Sequence, residues 1–132
     1  MPRSILVVIS SPKPGQEEEY NRWYTDQHLR DVLELPGFVS AQRFKLAVST
    51  PDGGFPGSYL AIYEYESAGS DEDLQLAFTL LQNATQSGQI VISQAMDPAR
   101  VLASLFAPIT EKLEAADGCG EAPCGNGRDS RR

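Results

Sequence analysis

Two kinds of hydrophobic spacing follow each other at the start of the chain. Apolar residues are almost continuous from Ser4 to Ser10, a pattern typical of a central strand. Between Glu17 and Leu35, large side chains recur every three or four residues, which predicts a helix with one buried stripe. Its members are Tyr20, Trp23, Tyr24, His28, Asp31 and Leu35. In a second interpretation Thr25 or Asp26 caps a separate short helix, and the chain kinks just before His28.

The spacing changes to a period of two after the Pro36-Gly37 pair. The segment from Gly37 to Val48 is predicted to be a strand, with Phe38, Ser40, Gln42, Phe44 and Leu46 on one face and Val39, Ala41, Arg43 and Lys45 on the other. Residues 49–57 are rich in Pro, Gly and Asp, which predicts a loop. Tyr59 to Glu66 then forms the antiparallel partner strand.

A second amphipathic helix follows this pair of strands. Ser70 and Asp73 have the spacing of a capping box, and Gly88 ends the helix. Its apolar stripe comprises Leu74, Ala77, Phe78, Leu81 and Ala84. Val101 to Phe106 is predicted to be the last strand, and Thr110 to Ala116 a short charged helix.

The resulting order, βαββαβ, predicts an α+β protein of the ferredoxin-like type. Such a protein has one antiparallel sheet with two helices on a single face. We expect one domain over residues 1–114 and a flexible, glycine-rich tail over residues 115–132, which contains both cysteines, Cys119 and Cys124. The second face of the sheet would stay uncovered in a single chain. We expect Phe38, Phe44 and several tyrosines to make this face apolar, and therefore a homodimer that buries it.

Composition narrows the range of functions. The formal charge of −7 on 132 residues argues against binding to nucleic acid or to an anionic membrane. No segment has the length of a membrane span, and none has the pattern of a signal peptide, so we expect a cytoplasmic protein. No cluster of His, Cys and acidic residues predicts a metal site, and we predict no cofactor.

His28 is the first candidate for chemistry because the pKa of an imidazole lies close to neutrality. In a continuous helix Tyr24 lies one turn before it, and Asp31 lies three residues after it. Asp31 could then accept a hydrogen bond from the imidazole, and Tyr24 could donate one to a substrate oxygen. The competing interpretation is a structural histidine in a well-packed core.

Five further residues are candidates for contact with a ligand. They are Tyr20, Trp23, Arg43, Tyr63 and Phe78. The aromatic members could equally be core residues. For Arg43 the alternative is an ion pair across the ladder with Glu64 or Glu66, which lie on the predicted partner strand.

The segment PKPGQEEEYNRWYTDQHLRDVLELPGFVSAQRF, followed by YLAIYEYE and later by LFAPITEKL, resembles the EthD-type members of the dimeric α/β-barrel superfamily. The resemblance covers roughly residues 5–113. It implies that two ferredoxin-like subunits pair through their sheets as a dimeric α/β barrel, with a pocket between helices and sheet in each.

The resemblance also implies a range of activities for small hydrophobic or aromatic ligands. We expect a cofactor-independent enzyme acting on an aromatic or polyketide-like substrate, as a lyase, a cyclase or an oxygenase-like enzyme, with His28, Tyr24 and Asp31 as catalytic residues. The alternative is a homodimer that binds a small molecule or haem without catalysis. A third possibility is a dimer whose aromatic stripe only fills the core.

Overall fold

The computed structural model describes residues 3–51, 53–54 and 56–116. Its strands are β1 (Arg3–Ser10), β2 (Phe38–Lys45), β3 (Tyr59–Glu66) and β4 (Leu102–Phe106). Its helical elements are α1 (Glu17–Trp23), a π-helical segment (Tyr24–His28), α2 (Leu29–Leu33), α3 (Asp71–Ser87) and a 3-10 turn (Pro98–Arg100). Apart from this turn, the elements follow the predicted order. None of the helices in these ranges is both long enough and apolar enough to cross a lipid bilayer.

The four strands form one antiparallel sheet in the order β2-β3-β1-β4. Leu6 of β1 and Tyr63 of β3 are buried on one face of this sheet. They belong to the same core cluster as Tyr20 of α1 and Ala77 of α3, so the first helix and α3 both cover that face. The structure therefore confirms the predicted α+β, ferredoxin-like fold.

The first helix is one continuous unit made of α1, the π-helical segment and α2. Trp23, His28 and Leu29 at its internal junctions all have right-handed helical backbone angles. The N–H of Leu29 donates to the carbonyl of Tyr24, five residues earlier, which is the hydrogen bond of a π-helix. The interpretation with a kink capped by Thr25 or Asp26 is therefore wrong.

The prediction that Phe38 and Ser40 share a face of β2 is also wrong. A β-bulge separates them, because Phe38 pairs with Tyr65 whereas Ser40 pairs with Glu64. Phe38 is buried against Tyr65 beneath the helices, with ring centroids 4.8 Å apart. The Ser40 hydroxyl donates to Glu64 on the opposite face, over 2.7 Å.

That opposite face carries no helix within the described part of the chain, and it is largely aliphatic. Its apolar side chains, all of them at least partly exposed, are Ile5, Val7, Ile9, Phe44, Leu60, Ile62, Leu102 and Phe106. We call this set the open sheet face. Its composition differs from the expectation that Phe38 and several tyrosines would lie there, since Tyr59, Tyr63 and Tyr65 are buried on the helix side.

The predicted helix from Thr110 to Ala116 is wrong, because residues 111–116 have no regular secondary structure. Ile109 and Leu113 are 95% and 92% exposed, so no packing against the domain stabilises a helix this short. Cys119, Cys124 and the predicted tail from residue 117 onward lie outside the described residues.

Candidate functional site

A cavity of about 360 Å³ lies between the sheet and the helices that cover it. Ten of its lining residues are apolar: Leu6, Val8, Val32, Phe78, Leu81, Ile90, Ile92, Met96, Val101 and Ala103. The others are Tyr24, His28, Tyr63, Gln82, Thr85 and Gln86. The volume falls in the lower range of small-molecule sites, and a mostly apolar wall with few polar groups is typical of them.

The first helix places Tyr24 and His28 together at this cavity. They stand at the two ends of the π-helical segment, and their rings meet edge to face with centroids 4.9 Å apart. Tyr63 reaches the same cavity from β3, and Phe78 reaches it from α3. Four of the eight site residues predicted from the sequence are thus brought to one cavity.

Three polar atoms of these side chains are buried without a hydrogen-bond partner. Among the described residues, nothing bonds to the hydroxyl oxygens of Tyr24 and Tyr63 or to Nδ1 of His28. Leaving one such group unsatisfied costs about 1–3 kcal/mol, and most buried polar groups in proteins are satisfied. The three groups belong to side chains that line a single cavity.

Burial determines the protonation of these three groups. Desolvation lowers the pKa of His28 to about 4; the Asp31 carboxylate opposes this shift, and the Arg43 guanidinium adds to it. Desolvation likewise raises the pKa of Tyr24 to about 12. It raises the pKa of Tyr63 well above its ordinary value, and the neighbouring Tyr24 adds to the effect. At neutral pH all three groups are uncharged.

Asp31 does not orient the imidazole in the way the sequence suggested. Its carboxylate accepts a hydrogen bond from the Gln27 amide, over 3.5 Å, and Nδ1 of His28 has no partner in the described part of the chain. Asp31 follows the π-helical segment, and Val32 rather than Asp31 is the buried residue of this turn. Its influence on His28 is electrostatic.

Trp23 supports His28 from outside the cavity. The indole stacks on the imidazole with ring centroids 4.7 Å apart and planes inclined by 28°. Its Nε1 donates to the carbonyl of Val91 over 3.1 Å, which ties the first helix to the segment after α3. Trp23 is not among the lining residues, so its position favours a supporting role over ligand contact.

Tyr20 and Arg43 lie in an aromatic cluster beside the cavity and do not line it. The Tyr20 and Ser10 hydroxyls share a buried hydrogen bond of 2.5 Å. The Arg43 guanidinium lies 4.5 Å from the ring centroid of Tyr24 and donates to Asn21 and Thr25, over 2.9 Å in each case.

The alternative ion pair between Arg43 and Glu64 or Glu66 is wrong. Arg43 pairs in the ladder with Ala61, which is on the helix side of the sheet. Glu64 and Glu66 instead bind Arg3, over 2.8 and 3.2 Å.

A polar rim on α3, not predicted from the sequence, is formed by Gln82, Thr85 and Gln86. These residues continue the helical spacing that starts at Phe78, on the flank of the apolar stripe. Three polar residues in line with an apolar stripe were the available signal. The loop residues Ile90, Ile92 and Met96 were not predicted either, because they have no regular spacing.

No protein-family model matches the chain, and no curated protein has significant sequence similarity to it. Solved structures do share its fold. An EthD family protein from Bacillus halodurans C-125 superposes with a TM-score of 0.51 at 14% identity, and the match covers 83% of this chain and 100% of that one. An EthD-like protein from Ralstonia eutropha JMP134 superposes with a TM-score of 0.50 at 17% identity, and the match covers 85% of this chain and 97% of that one.

A provisionally assigned monooxygenase from Shewanella loihica PV-4 gives a TM-score of 0.51 at 15% identity, over 83% of this chain and 97% of that one. These similarities confirm that the chain has the fold of EthD-type proteins, as the sequence resemblance implied. Identities this low show the fold alone.

Proposed function

We propose that this protein is an enzyme that moves a proton on a small carbonyl or phenolic compound bound in the cavity. The observation that supports it best is the presence of three uncharged, buried and unpaired polar atoms on Tyr24, His28 and Tyr63, around one apolar cavity. In the proposed reaction His28 is the base, while the two tyrosines hold the substrate oxygen. The proposal requires no cofactor.

The protonation states fit this division of roles. His28 is a free base at neutral pH, so it can accept a proton from a carbon next to a carbonyl or from a phenol. The bond to that proton breaks, and its electron pair moves onto the substrate oxygen. Tyr24 and Tyr63 stay protonated and can donate to this oxygen as its negative charge develops.

The substrate class follows from the wall of the cavity. Its apolar lining suits an aromatic or polyketide-like molecule, which has few polar groups for its size. General acid–base catalysis accelerates a reaction by a factor of about 10²–10⁴, so the substrate must already have an acidic hydrogen. Dehydration, cyclisation, lyase chemistry and oxygenation of such a molecule can all begin with this step, and one structure of the same fold is provisionally assigned to a monooxygenase.

The proposed enzyme is a homodimer that pairs through the open sheet face. The central strands β1 and β3 carry Val7 and Ile62 there, with Phe106 on the edge strand β4. An aliphatic surface across four strands is unfavourable in water, and a second copy of the chain offers a matching surface. The cytoplasmic location stays a prediction.

The test is turnover of a panel of phenols and β-dicarbonyl compounds. His28→Gln keeps a polar side chain of similar size but lacks the base, so we expect kcat to fall at least about 100-fold. Glu34→Gln is the matched control, because Glu34 is exposed near the end of the same helix and does not influence the pKa of His28; we expect its effect on kcat to stay within about threefold. Equal turnover by wild type and His28→Gln would contradict the proposed role of His28.

A second candidate is a binding protein without catalysis. The observation that favours it is the low pKa of His28. A base whose conjugate acid has a pKa of about 4 abstracts protons weakly. Haem fits this cavity poorly, since its two propionates are anions and the lining contains no Arg or Lys. A ligand that raises the melting temperature of wild type but is never turned over would support this candidate.

A further inference from the structure

Charged side chains are absent from the lining of the cavity. The chain has 11 Lys and Arg and 18 Asp and Glu residues. Within the described part of the chain, none of these lines the cavity. The ionisable groups that the described residues contribute to the wall are His28, Tyr24 and Tyr63.

The two charges that influence His28 are engaged elsewhere. Arg43 lies over the ring of Tyr24 and directs its guanidinium nitrogens to Asn21 and Thr25. Asp31 accepts from Gln27 on an exposed part of the helix. Arg43 and Asp31 act on His28 through space, in opposite directions, and neither borders the cavity.

The protein's own imidazole shows how this environment treats a charge. Desolvation is the largest influence on His28, and it keeps the ring uncharged over the whole neutral range. A carboxylate or an ammonium group of a ligand would lose its hydration if it were placed beside His28. Among the described residues, no ion of opposite sign lines the cavity to compensate for that loss.

We propose that the cavity selects uncharged molecules and rejects carboxylates and ammonium ions of the same shape. The inference rests on the proposed use of the cavity as a ligand site. It narrows the substrate class to neutral ketones, amides, quinones and un-ionised phenols.

Charge selection is compatible with the proposed proton transfer. The bound substrate is neutral at the start, and its oxygen becomes negative only as His28 becomes positive. The cavity as a whole therefore stays neutral through the step, and the two opposite charges stabilise each other at short range. An already ionised substrate would bring a net charge that nothing in the wall offsets.

Three probes of similar size separate charge from shape. They are 2-naphthamide, which is neutral, 2-naphthoate, which is an anion, and 2-naphthylmethylammonium, a cation. Binding is measured by isothermal titration calorimetry at pH 7.5. We expect the amide to bind at least about 100-fold more tightly than either ion, because each ion must be desolvated without a partner of opposite charge.

Two pairs of variants locate the effect. Leu81→Trp fills the cavity and should abolish binding of the amide, whereas Leu76→Trp, at an exposed position of the same helix, should not. Ile92→Lys places a cation at a partly exposed position of the lining, and we expect it to strengthen naphthoate binding about tenfold. Ile109→Lys adds the same charge at a fully exposed position outside the lining and should leave naphthoate binding unchanged.

The outcomes distinguish this inference from the proposed function. If the dissociation constant of either ion is within threefold of that of the amide, charge selection is overturned, but the cavity is still the ligand site. If none of the three probes binds, or if Leu81→Trp binds the amide as well as wild type, the cavity is not the ligand site and both proposals fail. Loss of turnover in His28→Gln is independent of these results and tests the proposed function alone.

Discussion

The Trp23 indole stacks on the His28 imidazole, with ring centroids 4.7 Å apart and planes inclined by 28°. They are the only tryptophan and the only histidine of the chain. The fluorescence of Trp23 therefore reports on the protonation of His28. We expect tryptophan fluorescence to fall as an imidazolium forms beside the indole. The midpoint should lie at about pH 4, because burial lowers the pKa of His28 to that value.

The control for this titration is His28→Gln, which should lack the transition. A midpoint near pH 6.5 in wild type would show that the imidazole is hydrated. The cavity would then be far more polar than its lining indicates.

The same shift in pKa makes stability depend on pH. Above pH 6.5 the imidazole is neutral in both the folded and the unfolded state, so it contributes no pH dependence. Between pH 6.5 and about 4 the unfolded state binds a proton that the folded state does not, so the free energy of unfolding falls as pH falls. The total loss should be about 3 kcal/mol, and it should level off below pH 4.

Urea unfolding at several pH values measures this loss. Carboxylates also titrate in the acidic range, but they are shared by wild type and His28→Gln. The difference between the two proteins therefore isolates the imidazole. A difference that does not vary between pH 7 and pH 4 would contradict the buried, neutral state of His28.

Gly37 and Gly88 provide a matched pair for the cost of a side chain. Their φ angles are +95° and +88°, so alanine is strained at either position. At Gly37 a Cβ atom would also overlap the ring of Tyr65, whereas at Gly88 it would meet no atom within 4 Å. We expect Gly88→Ala to cost about 1 kcal/mol and Gly37→Ala about 3 kcal/mol or more.

Urea denaturation of the two alanine variants gives these costs directly. Equal costs would mean that Tyr65 moves aside freely. Such freedom is unexpected for a buried ring packed against Phe38.

The open sheet face predicts the effect of an added charge on assembly. Ile62→Glu places a carboxylate in the middle of this face, next to Val7 on the neighbouring strand. Its desolvation would oppose pairing, so we expect the molar mass from light scattering to fall from that of two chains to that of one. Leu76→Glu adds the same charge at an exposed position of α3 and should remain dimeric.

A single-chain mass for wild type would overturn the proposed dimer. If Ile62→Glu keeps the mass of two chains, the chains pair through another surface.

The periodicity of the sequence was enough to predict the elements that carry the site. The stripe from Tyr20 to Leu35 and the capping residue Ser70 are local signals, and the structure has helices at both places. Ser70 accepts from the N–H of Asp73 over 3.1 Å, as the capping box predicted, whereas the Asp73 carboxylate accepts from the N–H of Ala68 and not from that of Ser70. Tyr63 and Phe78 were also candidates for ligand contact, and both line the cavity.

Two of the predictions that failed depended on partners far away in sequence. The bulge after Phe38 moves Ser40 to the opposite face, and no local pattern marks it. Arg43 was expected to meet Glu64 across the ladder, yet it binds Asn21 and Thr25 of the first helix. The register of two strands decides such contacts, and an offset of one residue changes the face of every side chain that follows.

The sequence by itself determined the order of strands and helices and the placement of Tyr24 and His28 on one helical stripe, because the backbone repeats fix which neighbours share a face. Only the tertiary structure decided that Asp31 lies outside the site and that all three polar groups are uncharged. The physical reason is that desolvation depends on what surrounds a group in space, and residues as distant along the chain as Leu6 and Ala103 supply those surroundings.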